Sequence, residues 1–440
     1  MSHVAVIGAG IVGLCAAREL RARGHDVTVI ERGEERRDGV SFGNAGIVVP
    51  SHFVPLAAPG VVGMVARRML DPAGPVRIAP RLSADLASWG VRFLRSATEG
   101  HVRHASPALA ALNLASRRLH ERMADDLGRD LVRFEASGLL MLCRTDAALR
   151  QEARVAEAAP AFGVRAEILD AADVRAAEPD VELDVVGAVR FPDDARADPA
   201  ATMRALQRRL DADPGVRFLF GTEVLALQRH RRADRAGEGG IAVLEVRRTG
   251  DRSAPVTTID VDGLVLAAGA WSAPLARDLG LRLLLQPGKG YGLTMPLSGE
   301  EPPAVLRSPA ILVEAHASAT RVADGFRVGG TMEFAGFDPA VGQARLAGLK
   351  RAVRSYLPGL TSSALDGAAV WSGFRPVSPD GLPYLGLAPR APNAVVATGH
   401  AMMGFSAGPI SGRVAAQLLD GEPPDVEVRA FDPARHTWAG

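Results

Sequence analysis

The chain predicts a mixed α/β and α+β fold in which a discontinuous, Rossmann-like dinucleotide-binding domain carries a second, mainly antiparallel domain. Three stretches point there. Val4 to Glu31 runs strand, glycine turn, helix, strand and acid; Asn393 to Leu419 repeats strand, glycine loop and helix; and between 281 and 370 short strands alternate with turns. A parallel unit split between the two ends forces the intervening residues to loop out. The expected division gives 1–60, 190–280 and 370–440 to the dinucleotide domain, and 61–189 with 281–369 to the other.

Val4, Ala5, Val6 and Ile7 form an unbroken apolar run, as a parallel strand buried on both faces requires. Gly8, Gly10 and Gly13 then give GxGxxG ahead of a helical period. Gly8 permits the tight turn, Gly10 lets a pyrophosphate approach the backbone, and Gly13 allows helix to pack on strand. Gly24 ends the helix, and Val27 to Ile30 form a second strand that delivers Glu31. A carboxylate there suits the two hydroxyls of an adenosine ribose and repels the extra phosphate of NADP. The unit does not choose between NAD and FAD.

Composition narrows the class. Lys plus Arg number 51 and Asp plus Glu 50, a net charge of +1, so nothing suggests a nucleic acid partner. Cys15 and Cys143 are the only cysteines and neither sits in CxxC, which disfavours a disulfide scaffold or zinc site and suits a reducing compartment. The first strand starts at Val4 and no apolar run has membrane-span length, so the expectation is a cytoplasmic enzyme.

After Glu31 comes a polar stretch and then Ser41-Phe42-Gly43-Asn44-Ala45-Gly46, a loop able to present backbone N–H groups to phosphate and flavin edges. His52, Pro55 and Pro59 lie in an irregular segment. From Val61 to about Gly128 the period is helical, with Ser106 and Pro107 expected to open the longest helix. The first of these helices, where Val61, Val62, Met64 and Val65 adjoin Arg67 and Arg68, reads as core-facing or, as the alternative, as a peripheral contact with the inner face of a membrane. Further on, Gly187 to Phe191 is a strand, Asp198-Pro199 opens a helix, strands flank Gly221, and Arg229 to Gly240 reads as a hairpin tip. A buried strand ends in Ala267, Ala268 and Gly269, a close backbone approach that Trp271 covers. A helix over 340–357 places Leu346, Leu349, Val353 and Leu357 on one face.

Four stretches together carry a resemblance: GAGIVG with Glu31; SFGNAG; LVLAAGAWS; and GFRPVSPDGLPYLG followed by TGHAMMGFSAGP. They resemble the FAD-dependent D-amino acid dehydrogenases of the wider D-amino acid oxidase and glycine oxidase superfamily, from Val4 to about Gly421. The resemblance implies FAD. It places Gly8, Gly10, Ile11, Val12, Glu31, Arg32, Ser41, Gly43, Asn44, Ala45, Gly46 and Ile47 along the adenosine, pyrophosphate and flavin. Val224 would offer its backbone to the adenine, with Ala268, Gly269 and Trp271 beside the pyrophosphate. Gly373, Gly399, Met403, Gly404 and Phe405 would face the flavin. A positive helix end there favours the charge of reduced flavin. No Cys lies in the C-terminal stretch and no His in SFGNAG, so the FAD is expected to be non-covalent.

The implied reaction oxidises an amino acid, D-configured or a cyclic secondary amino acid such as a proline derivative. Electrons pass to an acceptor other than oxygen. The protein then has to grip the carboxylate, hold the amine neutral and aim the C–H bond. Arg375 in GFRP matches the family's carboxylate anchor; the competing use is a structural ion pair. Tyr291 is a candidate pocket closer or carboxylate donor, with a core tyrosine as alternative. His400 and His52 are candidate proton acceptors whose ordinary titration range suits that work. Two other functions compete: an oxidase of the glycine or sarcosine type making hydrogen peroxide, and a flavin-bound subunit without catalysis.

Overall fold

The computed structural model describes residues 1–68, 71–79, 81, 83–229, 239–297 and 305–437. Two sheets organise them. The first has six strands in the order Tyr384–Ala388, Ala391–Thr398, Gly263–Leu266, His3–Ile7, Asp26–Ile30, Val216–Leu219. All neighbours are parallel except the Tyr384–Ala388 and Ala391–Thr398 pair. His3–Ile7 is buried on both faces, as its apolar run requires. Val4 and Val6 join the core beneath the helices, while Ala5 and Ile7 face the core shared with Leu227, Leu244 and Val246 of a three-stranded antiparallel sheet.

Helices Ile11–Ala22 and Gly404–Leu419 lie side by side on that first core, and glycines set their spacing. A Cβ on Gly412 would stand 2.5 Å from the Ala16 nitrogen, and one on Gly408 would stand 2.8 Å from the Ile11 side chain. On Gly13 it would sit 1.8 Å from the Gly8 carbonyl oxygen. Only hydrogen fits at the first and last of these positions without backbone movement.

The second sheet has nine strands. Eight follow the order Ala369–Val377, Gln286–Met295, Gly325–Phe334, Ala317–Val322, Ala310–Leu312, Leu139–Cys143, Gly187–Phe191, Glu167–Asp170, and Val76–Ile78 pairs with Gly325–Phe334. Most neighbours are antiparallel, as expected. The 340–357 helix forms as Gln343–Tyr356, burying Leu346, Leu349 and Val353.

Three sequence expectations change. Ala369–Val377 pairs with Gln286–Met295, so this part of 370–440 belongs to the second sheet. The longest helix runs Glu99–Leu127 and places Leu109, Leu112, Ala115 and Met123 in the first core, although 61–189 was assigned to the other domain. Its N-cap is Thr98, whose hydroxyl accepts from the His101 N–H, and Pro107 lies inside the helix. Pro107 removes one internal N–H, which packing of the flanking turns offsets. The expected hairpin tip at 229–240 falls mostly outside the described residues.

Candidate active site: a glycine-lined cleft opening on an apolar cavity

The first cavity, about 580 Å³, lies at the C-terminal ends of the parallel strands, where the fold leaves a crevice. Gly8, Gly10, Ile11, Val12, Glu31, Arg32, Ser41, Asn44, Val224, Ala268, Gly269, Trp271, Gly404 and Phe405, all of them residues that the resemblance places along FAD, line it. Gly8 has φ +103°, and a Cβ there would come within 2.5 Å of the Ala267 carbonyl oxygen. Among the described residues the Val12 and Gly13 N–H groups have no hydrogen-bond partner, and Ile11 N–H donates to Ser41 Oγ at 3.0 Å. Gly404 and Phe405 likewise open the last helix with unpaired N–H groups. Two positive helix ends therefore meet one cleft.

Glu31 accepts from Ala9 N–H at 2.8 Å through one oxygen and from Gly33 N–H at 2.7 Å through the other. Each oxygen keeps lone-pair capacity for a diol. The Arg32 guanidinium stacks 4.6 Å over Trp271, which covers the cleft as expected. Sequence reading missed Arg37, which donates to the Ala9 carbonyl at 2.7 Å on the cleft wall.

The Ser41–Gly46 loop is held by a second residue that sequence reading missed. Arg327 donates to the carbonyls of Phe42 and Asn44, at 3.0 and 2.8 Å. Asn44 closes on itself, accepting from Gly46 N–H, and reaches the Met402 carbonyl. Ala45 accepts from Thr320, and Ile47 pairs with Arg196. Beside Gly43 and Gly373 stands Trp371, whose ring would collide with a Cβ on either glycine. Its indole N–H donates to the Asp38 carbonyl. A Trp two residues ahead of Gly373 was the available signal.

A second cavity of about 570 Å³ joins the first at Asn44 and Ala401. Its walls are apolar: Val49, Leu56, Ile78, Phe93, Met332 and Phe334 among them, with Met403 near the junction. Val61, Val62, Met64 and Val65 also turn towards it, which gives that helix an inward-facing role. Arg375 enters this cavity. Gly290 makes room for it, since a Cβ there would lie 2.2 Å from the guanidinium carbon. Nη1 donates to the Thr331 carbonyl at 2.6 Å, and no carboxylate pairs with the group among the described residues. Burial pushes its pKa down to about 10, so it remains a cation at neutral pH.

Thr331 is held in a conformation that a β-branched residue avoids, φ +66°, at a bulge where Gly325–Phe334 slips against Gln286–Met295. The turn aims its carbonyl at Arg375, and its buried hydroxyl has no partner among the described residues. Strain of this kind is kept where geometry serves a site.

The other three candidates part company. Tyr291 is fully buried and borders the apolar cavity; its hydroxyl donates to Glu333 at 2.6 Å while accepting from Gly342 N–H, within a charge cluster with Lys289 and Arg345. His400 follows Gly399, which has φ +81°, and its Nε2 meets Ser411 Oγ at 2.8 Å on the cleft side. Burial lowers its pKa to about 4, so it is a neutral structural imidazole and not a base in the apolar cavity. His52 does line the apolar cavity, also neutral with a pKa lowered to about 4 by burial.

A nucleotide-sized cleft at the end of a parallel sheet, meeting an apolar cavity that Arg375 and Arg327 reach, is the layout of an oxidoreductase working with a bound dinucleotide. The chain belongs to the DAO family of FAD dependent oxidoreductases, whose model matches residues 3–418. It is 33% identical over 433 residues to a D-amino acid dehydrogenase of Methylobacterium radiotolerans, covering 96% of this chain and 97% of the relative. A D-amino acid dehydrogenase of Cereibacter sphaeroides is 35% identical over 439 residues, covering 97% and 93%. Among solved structures, glycine oxidase from Geobacillus kaustophilus aligns over 100% of both chains with a TM-score of 0.74 and 23% identity. L-proline dehydrogenase from P. horikoshii aligns with a TM-score of 0.72 and 20% identity over 99% and 97%. The cleft fits FAD: unpaired N–H groups at two helix ends suit pyrophosphate and flavin carbonyls, and the glycines leave space for both.

Proposed function

We propose that this FAD-dependent oxidoreductase oxidises a D-amino acid, or a cyclic secondary amino acid such as a proline derivative, at its α-carbon. The carrying observation is Arg375, a half-buried guanidinium lining an apolar cavity, with one backbone partner and no carboxylate partner among the described residues. A partly desolvated cation facing apolar walls is costly while it stays unpaired, and a substrate carboxylate supplies the missing charge through two parallel hydrogen bonds. FAD, held non-covalently in the cleft, would supply the hydride-accepting redox chemistry. The chain's own residues do the rest. Arg375 fixes the carboxylate, Thr331 holds Arg375 through its carbonyl, and the apolar walls take a hydrophobic side chain and exclude water. The product imine is then hydrolysed in water.

The names of the relatives support the D configuration and an acceptor other than oxygen. No described helix is long and apolar enough to cross a membrane. We place the enzyme in the cytoplasm, where peripheral contact with the inner face of the membrane would bring it to its acceptor.

Anaerobic stopped-flow reduction of the flavin, run against D-amino acids, L-amino acids, sarcosine and both hydroxyproline epimers, tests this reading. Fast bleaching by a D or secondary amino acid is expected, with no hydrogen peroxide at turnover rate in air. Bleaching by none of the panel overturns it, and stoichiometric peroxide selects the oxidase alternative.

A further inference from the structure

Behind the cavity wall stands a carboxyl group that the reading above leaves unused. Asp194 is fully buried, and no cation pairs with it among the described residues. Its two oxygens serve one neighbour: Oδ1 accepts from Ser51 N–H at 3.1 Å and Oδ2 from Ser51 Oγ at 2.5 Å. Ser51 Oγ also stands 3.1 Å from His52 Nδ1. His52 lines the apolar cavity with Arg375, and its Nε2 has no hydrogen-bond partner among the described residues. Asn113 of the long helix, itself buried, donates to the His52 carbonyl at 3.0 Å and fixes the segment.

A neutral capping group would satisfy Ser51 equally well. An Asn at 194 would accept from Ser51 N–H through Oδ1 and donate from Nδ2 to Ser51 Oγ, without the cost of a buried acid. The carboxyl is therefore unexplained by structure alone, and it ends an unbroken chain of hydrogen-bonding atoms that begins at the cavity.

We infer that His52, Ser51 and Asp194 form a buried proton path that draws the ammonium proton out of the substrate before its oxidation. This rests on the amino acid reading above. An amino acid arrives as a zwitterion, and hydride leaves its α-carbon readily only when the nitrogen lone pair is free. With the imidazole proton on Nδ1, the ammonium N–H breaks and a proton joins Nε2. Nδ1 releases its proton to Ser51 Oγ, and the Ser51 hydroxyl proton passes to Asp194 Oδ2. The path runs from the ionised form of Asp194, the minority form below about pH 8: the substrate becomes a neutral amine and the carboxylate a neutral acid, and after the product leaves the proton returns along the same three groups to water in the cavity; no electrons are exchanged. His52 begins and ends neutral, so its weak basicity is no obstacle.

The charges nearest Asp194 do not disable it. Asp193 is paired outward with Arg165, and Arg117 of the long helix is paired with Glu121. Desolvation dominates and pushes Asp194 up to about 8, into the range where a group gains and loses a proton near neutrality.

Asp194→Asn and Ser51→Ala, made in the FAD-loaded protein, test the path. The readout is the pH dependence of kcat/KM for anaerobic flavin reduction, which reports ionisations of the free enzyme and free substrate. The expected result is that both variants shift the alkaline rise towards the ionisation of the free amino acid, with kcat/KM at pH 7 down about 100-fold. Melting temperature against pH is the second readout. A raised carboxyl pKa means the folded state holds a proton that the unfolded chain loses, so wild-type stability falls between about pH 4 and 8. Asp194→Asn should remove that fall. Superimposable kcat/KM profiles in either folded variant overturn the path, as does a wild-type melting curve identical to that of Asp194→Asn. Flavin reduction by no amino acid at all overturns the parent reading and the path with it.

Discussion

At the scale of single residues, Arg375 and Thr331 are one device. Arg375→Leu removes charge-assisted bonds to the carboxylate and should raise KM about 100-fold with little change in melting temperature. Arg375→Lys should recover only part of this, because an ammonium cannot present a planar fork. Thr331→Gly keeps the carbonyl that holds Arg375 but relieves the left-handed strain at φ +66°, so it should stabilise the fold by roughly 1 kcal/mol. A lower stability in that variant would show that the conformation is not strained. Tyr291→Phe should destabilise the protein and leave KM nearly unchanged, since its hydroxyl answers Glu333. Arg375 was legible from its four-residue setting. Thr331 was not, because a bulge depends on the register of Gln286–Met295 against Gly325–Phe334, which no local pattern encodes.

At the scale of elements, the cofactor cleft depends on how closely two helices approach each other. Gly412→Val places a branched side chain where even a Cβ would lie 2.5 Å from backbone. It should push the Gly404–Leu419 helix off Ile11–Ala22, lower the melting temperature and weaken FAD binding, read as flavin fluorescence released on dilution. Unchanged FAD affinity would mean that the two helix ends act independently. The Val4–Glu31 unit was readable because one glycine-marked turn and its flanking periods lie within thirty contiguous residues. Ser106 and Pro107, a pair that opens helices in isolation, lie inside the Glu99–Leu127 helix. Tertiary packing of the preceding turns carries the helix through the proline.

At the scale of the whole molecule, buried titrating groups set a pH window. His52, His120 and His400 have pKa values lowered to about 4 by burial, so the unfolded chain binds protons that the folded state refuses. Stability should be full above about pH 6.5 as far as these groups are concerned, and should fall as the pH drops towards 4; thermal melts across that range check it. Non-covalent FAD should leave with acid denaturation, and adding it at about 1,000 times its Kd should stabilise the apoprotein by about 4 kcal/mol. Flavin retained by the acid-precipitated chain would refute the non-covalent reading. The chain alone announced a dinucleotide cleft, because it is written in short contiguous stretches whose backbone geometry is local, and its GFRP stretch offered Arg375 as the anchor that the resemblance implies. The division of labour around the cavity came only with the tertiary structure. Ser51 and Asp194 are 143 positions apart, Arg327 holds a loop 283 positions away, and the Tyr291 hydroxyl donates to Glu333, 42 positions away. Such contacts follow from strand order and register across two sheets, which depend on how the entire core packs.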